Sequence, residues 1–421
     1  MSSFGGIVDE IPNVSIDRFD GKNLHSTAFF LSHCHTDHMV GLREIEFLNL
    51  LSKNSDYFLY CSEISYQILM NTALKDVKEN LRILSVHEPC MVHVPASLHF
   101  QESQALTLST IPAGHCPGSV MFLLESPSST VLYTGDIRIA KGDIQKFTQL
   151  QRADGCAKRI DALYLDTTFL DPKYYHFPLR KDSGMELCRL IQEWTDQSHR
   201  HHVQLVMPAK YGYEFLYVEI FKKLGIKVHV TDEIFKLYQN VAEVESSLTA
   251  NPEKAKVHAC QQKGFFGFRD YLSCLRTEHK LRCIKCSAMW YQKSDKEAVQ
   301  ELSRSKDHFH QIVYSSHSSF SELVDIVKYL QPKKVVPCVV PDRSSEYKVS
   351  RILETILGER SPKCKKKPLD HQAGSSRVLE FKYLKRKSRE WGRDADARAA
   401  IIKKAYEDLP SPPRPKVEYG D

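Results

Sequence analysis

The stretch FLSHCHTDHMVGL, residues 30–42, places four side chains of metal-ligand type within six positions. They are His33, His35, Asp37 and His38. The run directly before them, residues 29–31, is aromatic and aliphatic and predicts a buried strand. Imidazole and carboxylate groups are common zinc ligands, and an open catalytic zinc site takes about three protein ligands. The stretch therefore predicts a metal site at a strand end rather than a polar loop with scattered histidines.

The spacing of these side chains divides them into two sets. Residues two apart in extended backbone point to the same side, so His33, His35 and Asp37 can converge on one point. His38 then points elsewhere and is available to a second metal ion. The spacing leaves open whether one or two ions bind.

The composition is that of a soluble globular protein. In 421 residues, hydrophobic side chains make up 42% and charged side chains 26%, enough for two domains with large cores. The net charge is only +6, so affinity for nucleic acid must come from local basic patches. We predict no secretory signal and no membrane span. The twelve scattered cysteines then predict reduced thiols or metal ligands in the cytosol or nucleus.

The pattern of predicted elements changes near residue 160. Before it, short strands are interspersed with a few helices; we predict strands near 27–32, 57–62, 81–86, 105–111, 119–125 and 130–135. After it, strands alternate with amphipathic helices, which is typical of a parallel sheet. One of these helices should end at Gly225, and the next should run over residues 232–248. Residues 362–421 are basic and proline-rich, and predict a solvated tail or a segment for nuclear import or DNA contact.

Several motifs resemble those of one protein family. HCHTDH is similar to the HxHxDH signature of the metallo-β-lactamase fold, and three further stretches match the rest of that pattern. IPAGHCPGSVMFL supplies His115, VLYTGDIR supplies Asp136 and YSSHSS supplies His317. AGHCPGSVMF, LYTGD and LYLDTTFLDP resemble the DNA-processing β-CASP nucleases, while SIDRFD, YGYEF and VHAC resemble the Artemis-like branch of that family. The resemblance extends over roughly residues 1–360.

This resemblance implies an α/β fold, an αββα metallo-β-lactamase sandwich with an inserted α/β β-CASP domain. The first part of the lactamase domain would be residues 1–158, the inserted domain 159–308, and the return to the lactamase domain 309–360. Residues 361–421 would form a basic, flexible tail.

The resemblance also implies a set of catalytic metal ligands. A firmly bound first Zn²⁺ would take His33, His35, His115 and Asp136, and a second, weaker site would take Asp37, His38 and His317, with Asp136 as a bridge. Asp37 could equally serve as a proton carrier. Asp17 and Asp166, at strand ends, would orient ligand histidines through the free ring N–H. A turn or helix cap is the alternative for Asp17.

A second cluster is expected in the inserted domain. Soft thiolates with imidazoles predict a closed structural zinc site, and the resemblance supports His229, His258 and Cys260. Cys274 is the best-placed fourth ligand, although Cys283 and Cys286 form a CxxC pair that also qualifies. The alternative interpretation is that these cysteines are free, buried side chains and bind no metal.

The proposed substrate contacts are Lys210 and Tyr211, which follow a predicted strand where a loop would face the interdomain cleft. A lysine can hold a phosphate, and an aromatic ring can stack on a base. The family's lysine stands a few residues earlier, so Lys210 is a shifted match. Ordinary surface and core packing is the alternative for both residues.

Taken together, the resemblance implies a zinc-dependent DNA endonuclease that opens hairpins and trims overhangs at single/double-strand junctions, leaving 5′-phosphate and 3′-hydroxyl ends. It implies a nuclear protein of non-homologous end joining, with a DNA-dependent protein kinase and end-joining factors as partners. The alternative is a 5′-to-3′ exonuclease of the crosslink-repair or telomere type, although such relatives tend to have ANHCPGS where this chain has AGHCPGS. An RNA-cleaving β-CASP enzyme, a small-molecule lactamase or thioesterase, and a metal-free scaffold that only binds DNA ends fit the motifs less well.

Overall fold

The apolar run before the histidine stretch forms a fully buried strand in a computed structural model of the chain. The model describes residues 2–72, 74–86, 88–207, 211–260, 272–275, 278–292, 302–306, 308–340 and 343–358. Lys210 and the predicted tail, 361–421, lie outside these described residues.

The helices and strands of the described residues follow one another in the order expected from the sequence in most places. The strands are β1 Val14–Ile16, β2 Ala28–Leu31, β3 Phe58–Ser62, β4 Leu81–Leu84, β5 Cys90–Val94, β6 Gln104–Pro112, β7 Val120–Glu125, β8 Thr130–Tyr133, β9 Ala162–Leu165, β10 His201–Val206, β11 Val228–His229, β12 Leu248–Thr249, β13 Val257–His258, β14 Lys280–Cys286, β15 Ser303–Lys306, β16 Phe309–Ile312 and β17 Lys334–Pro337. The α-helices are α1 Ile45–Lys53, α2 Glu63–Met70, α3 Arg180–Thr195, α4 Glu214–Leu224, α5 Asp232–Leu237, α6 Ala242–Ser247, α7 Phe320–Leu330 and α8 Arg343–Gly358.

Two sheets pack face to face at the centre of the fold. The first has the order β1-β2-β3-β4 with all strands parallel, and the second has the order β17-β9-β8-β7-β6-β5 with mixed pairing. Phe30 on β2 points into the space between them, where its ring lies 5.0 Å from that of Tyr60 and 5.5 Å from that of Phe122. Alternate side chains of a strand face opposite sides, so Phe29 turns to the other face of the first sheet.

Helices cover the outer faces of both sheets. Phe29 meets Phe47 of α1 with ring centroids 5.0 Å apart, and α2 packs on the same face. On the far side, Leu132 and Leu163 of the second sheet pack against Ile326 of α7 and Leu353 of α8. These four layers confirm the predicted αββα sandwich.

A third sheet carries the middle of the chain. Its order is β12-β11-β13-β10-β14-β16-β15, and its pairs are parallel except β15 with β16. The strand β9 pairs with β8 and β17 in the sandwich, whereas β16 pairs with β14 in the third sheet. The chain therefore leaves the sandwich for the third sheet after Leu165 and returns to the sandwich after Ile312. Both positions are later than the predicted domain boundaries at 158/159 and 308/309. The division into domains itself stays a prediction.

Local backbone explains where the predicted elements differ from the observed ones. The helix expected over residues 232–248 is two helices, α5 and α6, and between them Asn240 has a φ of +67°. Asparagine tolerates this left-handed conformation, which a continuing helix cannot contain. Gly225 ends α4 as predicted, with a φ of +68°. The strands β1 and β5 were not predicted, since β1 is three residues long and β5 is largely exposed at a sheet edge.

Among the described residues, no helix is both long enough and apolar enough to cross a bilayer.

Candidate metal centre

The predicted ligands come together where loops of the two central sheets meet. The stretch with His33, His35 and His38 follows β2, and Asp136 follows β8 by three residues. His115 lies between β6 and β7, and His317 lies between β16 and α7. Because the carboxyl ends of β2 and β8 lie side by side in the sandwich, residues distant in sequence converge there.

One carboxylate oxygen of Asp136 faces the first predicted set of ligands. Its Oδ2 lies 3.6 Å from His33 Nε2 and 3.5 Å from His115 Nε2. His115 Nε2 is in turn 3.0 Å from His35 Nδ1. The three histidines therefore offer ligand atoms within 4.8 Å of one another, and Asp136 adjoins two of them.

The other oxygen of Asp136 faces the second set. Its Oδ1 lies 3.3 Å from His38 Nε2. His317 joins His115 and Asp136 in a group whose ligand atoms all lie within 4.8 Å of one another. Asp136 thus stands between the two sets, which is the position that a bridging ligand requires.

Unsatisfied nitrogens show that these residues fit a metal ion. The Nε2 atoms of His33, His35 and His38 are buried and have no hydrogen-bond partner among the described residues. His33 is fully buried and Asp136 is 7% exposed. Buried polar atoms are normally paired, and the Nε2 atoms of His33 and His38 both face Asp136, so these two nitrogens fit a divalent cation. His35 faces His115 through Nδ1 instead.

The environment sets the protonation states that metal binding needs. Burial lowers the pKa values of His35 and His115 well below the usual range, so both rings are neutral. Burial also disfavours the ionised form of Asp136, but the charges of His38 and His317 hold its pKa well below the usual range. For His38, burial is outweighed by the carboxylates of Asp136 and Asp17, and its pKa is raised well above the usual range. The neutral rings of His35 and His115 beside the ionised carboxylate of Asp136 are ready to bind a cation, whereas a metal ion at His38 and His317 would have to displace a proton from each ring.

The carboxylate of Asp17 fixes the orientation of His38. Its Oδ2 lies 2.8 Å from His38 Nδ1, so the opposite nitrogen of that ring faces Asp136. The same carboxylate accepts hydrogen bonds from the backbone and hydroxyl of Ser32, at 2.6 and 2.5 Å, and from the Tyr133 hydroxyl at 2.9 Å. Asp17 has a φ of +57°, and it is 4% exposed. Asp17 therefore contacts the ring of His38, one of the histidines that the sequence predicts as metal ligands.

Asp166 has the corresponding contact with His317. Its Oδ2 lies 2.9 Å from His317 Nδ1, and it also accepts a hydrogen bond from the Ile137 backbone at 3.1 Å. The other oxygen accepts from the backbone and hydroxyl of Thr168. Each predicted orienting aspartate is therefore itself held by several donors.

Asp37 is placed differently from the other candidates. Its Oδ2 accepts a hydrogen bond of 2.8 Å from the backbone N–H of Ser2. Its carboxylate belongs to none of the groups of three or more ligand atoms, within 4.8 Å of one another, that the described residues form. This placement favours the proton-carrier interpretation of Asp37 over the ligand one.

The second predicted cluster assembles in the third sheet. His229, His258, Cys260 and Cys274 each offer a ligand atom, and these four atoms all lie within 4.8 Å of one another. His258 Nδ1 is 3.2 Å from His229 Nδ1 and 3.5 Å from Cys274 Sγ, and the two sulfurs are 3.6 Å apart. The thiol of Cys260 donates to Cys274 and lowers the pKa of Cys274, which therefore favours the thiolate form.

The alternative fourth ligands do not join this cluster. Cys283 lies on β14 with its sulfur 3.5 Å from Gln204 Oε1, and Cys286 is fully buried at the end of the same strand. Among the described residues, the group that contains His229 and His258 is completed by Cys274. The geometry therefore favours Cys274 over the CxxC pair.

Of the two predicted substrate contacts, the structure describes Tyr211. Its ring stacks on that of His35, with centroids 5.3 Å apart and planes at 20°. Tyr211 is half-buried. The loop before α4 thus places an aromatic side chain directly beside the histidine cluster.

Sequence reasoning missed three residues that shape the site. Ser32 and Tyr133 donate to Asp17, and the Cys116 sulfur groups with His33, His35 and His115 within 4.8 Å. Burial raises the pKa of Cys116 well above its usual range, which keeps it a thiol. Ser32 and Cys116 each adjoin a predicted ligand in sequence, and that adjacency was the available signal. The sequence around Tyr133 contains no such signal, because its partner Asp17 lies 116 residues away.

Two family models match parts of the chain. The family described as DNA repair metallo-beta-lactamase matches residues 242–343, and the one described as Anti-Pycsar protein Apyc1 matches residues 14–170. The second match includes His33, His35, His115 and Asp136, and the first includes His258, Cys260 and His317.

Curated relatives match most of the chain. Protein artemis of Gallus gallus is 36% identical over 367 residues, which cover 85% of this chain and 50% of that protein. Protein artemis of Homo sapiens is 34% identical over 379 residues, covering 88% of this chain and 54% of that protein. DNA cross-link repair 1A protein of Homo sapiens is 28% identical over 324 residues, covering 74% of this chain and 28% of that protein. The chain spans about half the length of the artemis proteins that it matches.

We expect Asp17→Ala to lower the free energy of unfolding by about 3 kcal/mol, because several buried donors lose their acceptor. Alanine would also be strained at the positive φ. Asp20→Ala is the matched control, since Asp20 pairs with the partly exposed Arg18 and should cost less than about 1 kcal/mol. Urea unfolding measures both variants, and equal losses would contradict the importance of the buried contacts.

Proposed function

We infer that the chain belongs to the metallo-β-lactamase/β-CASP family, in its Artemis-like branch, and we propose that it is a metal-dependent DNA repair nuclease. The observation that carries the proposal is the cluster around Asp136, where the Nε2 atoms of His33 and His38 face the carboxylate and have no hydrogen-bond partner among the described residues. Hydrolysis of a phosphodiester requires a nucleophile at neutral pH and compensation of negative charge, and metal centres of this kind supply both.

We assign the catalytic ions to two neighbouring sites. His33, His35, His115 and Asp136 would hold the first Zn²⁺, and His38 and His317 would hold a second, weaker one that shares Asp136. Zinc bound there would act as a Lewis acid on the phosphate and lower the pKa of a water molecule toward about 7. Four imidazole or carboxylate donors fit zinc as a borderline ion.

The remaining aspartates serve these ligands. Asp17 and Asp166 would keep the rings of His38 and His317 in the orientation that presents the opposite nitrogen to the metal, as second carboxylates commonly do. Asp37 would carry a proton away from the attacking water, a role that matches its place outside the ligand groups.

A structural zinc ion is proposed for the second cluster. Two imidazoles and two thiols, with no carboxylate in the group, form the closed ligand set of sites that stabilise a fold rather than catalyse a reaction. The thiolate character of Cys274 supports this assignment. The ion would join β11 and β13 to the segment that contains Cys274.

The proposed substrates are hairpins and overhangs at junctions of single- and double-stranded DNA. Tyr211, in the loop before α4, lies beside His35, so this loop restricts access to the metal centre on one side. A DNA duplex is stiff and would enter a restricted site poorly, whereas a strand that leaves the duplex can bend its phosphate toward the metal. Lys210 would add a phosphate contact. The products would be 5′-phosphate and 3′-hydroxyl ends.

The proposed setting is double-strand break repair by non-homologous end joining in the nucleus. The artemis relatives support this setting, and a DNA-dependent protein kinase and end-joining factors would be partners. The second candidate function is a 5′-to-3′ exonuclease, since DNA cross-link repair 1A proteins also match the chain. The higher identity and coverage of the artemis relatives favour the endonuclease.

We expect Asp136→Asn to lose the catalytic metal and to reduce cleavage about a hundredfold or more, while the fold stays intact. Asparagine keeps the shape but removes the charge that faces both sets of histidines. Asp154→Asn is the control, because that side chain is 57% exposed. Metal content by mass spectrometry, circular dichroism and cleavage of a labelled hairpin measure the three effects, and full activity in a folded Asp136→Asn protein would refute the assignment.

We expect Cys260→Ala to remove one zinc ion per chain and to lower the melting temperature, because a structural zinc contributes folding free energy. Cys283→Ala should leave the zinc content unchanged, since Cys283 lies outside the cluster. Zinc content and thermal unfolding of the two variants decide the point. An unchanged zinc content in Cys260→Ala, or a lost ion in Cys283→Ala, would contradict the proposed ligand set.

The nuclease proposal is tested with hairpins that share one stem and differ in loop sequence, beside a continuous duplex. We expect internal cuts near the junction, little cutting of the duplex, cut positions that follow DNA shape, and slower cleavage as salt rises. Equal cleavage of the duplex, or a cut that follows one base sequence, would overturn this proposal. Removal of nucleotides from the 5′ end alone would establish the exonuclease candidate instead.

A further inference from the structure

A buried carboxylate outside the ligand set holds the loop that touches the metal centre. Glu214 begins α4 and is 2% exposed. Its two carboxylate oxygens accept the backbone N–H of Gly212 at 3.1 and 3.0 Å. The hydroxyl of Tyr238, from the end of α5, donates to the same carboxylate. The loop at Gly212, the start of α4 and the end of α5 therefore meet at the carboxylate of Glu214.

The peptide of Gly212 is fixed at its other end as well. The hydroxyl of Tyr314 donates to the Gly212 carbonyl oxygen at 3.0 Å. Gly212 has a φ of +95°, and a Cβ there would lie 3.2 Å from the hydroxyl oxygen of Ser316. Only glycine adopts this conformation without strain and allows so close an approach. The backbone just after Tyr211 thus has little freedom to move.

This fixed backbone presents Tyr211 to the first set of ligands. The ring of Tyr211 is nearly parallel to that of His35, at 20° and 5.3 Å. Ser316, the neighbour of Gly212, accepts a hydrogen bond of 2.7 Å from His115 Nδ1 through its carbonyl oxygen. The loop therefore adjoins two of the four proposed ligands of the first metal site.

We propose that Glu214 is a positioning residue for the metal centre, because it fixes Gly212 and so holds Tyr211 against the ring of His35. The inference rests on the proposed function, in which His35 ligates the first metal ion. It gives Tyr211 a role besides substrate contact, as the support of a ligand ring. Groups that orient metal ligands typically change metal affinity by about 10- to 100-fold when they are removed.

A purely structural role for Glu214 is the competing explanation. An acidic residue in the first turn stabilises a helix whatever lies beyond it. Such a role would change the melting temperature of Glu214 variants but not the affinity of the centre for zinc. Tyr211 is half-buried and lies before α4, so its substitution separates the two explanations.

The test measures zinc retained per chain during dialysis against increasing chelator, with melting temperature recorded in parallel. The catalytic share of the bound zinc is defined as the zinc that the wild type holds and the Asp136→Asn variant lacks. We expect Tyr211→Ala and Glu214→Ala to release that share at about tenfold lower chelator concentration. Tyr211→Phe, which keeps the ring, and Glu214→Gln, which keeps an acceptor, should retain it more nearly as the wild type does. Glu253→Ala, at an exposed position, is the matched control.

The double variant completes the test. If both residues act through one contact, Tyr211→Ala combined with Glu214→Ala should release zinc no more readily than either single variant. Wild-type zinc retention in Tyr211→Ala, or additive effects in the double variant, would overturn the inference. Failure of the proposed function would differ, because the wild type itself would then hold no zinc that Asp136→Asn lacks.

Discussion

The carboxylate of Asp17 is the contact on which the centre of the molecule depends. It accepts hydrogen bonds from Ser32 at the end of β2 and from Tyr133 at the end of β8, so one buried group joins the two sheets of the sandwich. The same group faces His38. A single side chain therefore contacts both sheets and the ring of a proposed metal ligand. Because a buried charge is stable only when it is well hydrogen-bonded, the arrangement tolerates little displacement.

The parts of the site that the sequence predicted are those encoded within a few residues. The stretch from His33 to His38 follows a buried strand, and both facts are local. The role of Asp136 and His317 came from family resemblance, since nothing near either residue shows that they meet. Contacts such as that of Tyr133 with Asp17 depend on how two sheets pack, which periodicity does not contain. The αββα layers and the inserted domain came from the family resemblance, but the positions at which the chain changes sheet, after β9 and after β16, are later than the resemblance implied.

Asp37 lies apart from the histidines that neighbour it in the HxHxDH pattern. Alternation in an extended chain predicts that His33, His35 and Asp37 face one point and that His38 points elsewhere. The segment after His35 is instead a short 3₁₀ turn, Thr36–His38, in which side chains no longer alternate. The turn directs His38 inward, where it is 1% exposed, and leaves Asp37 with the Ser2 backbone. Local backbone geometry therefore decides which residues of a motif share one point.

The pairing of β11 with β13 gives the second cluster a meaning for folding. His229 and His258 stand directly opposite each other in this parallel pair. A shift of one residue along either strand would turn one imidazole to the opposite face of the sheet. The four-residue cluster can then form only in the native register. Strands of two residues specify their register weakly by themselves. Here the convergence of imidazole and thiol groups favours the native register, because a misaligned pair could not form the cluster.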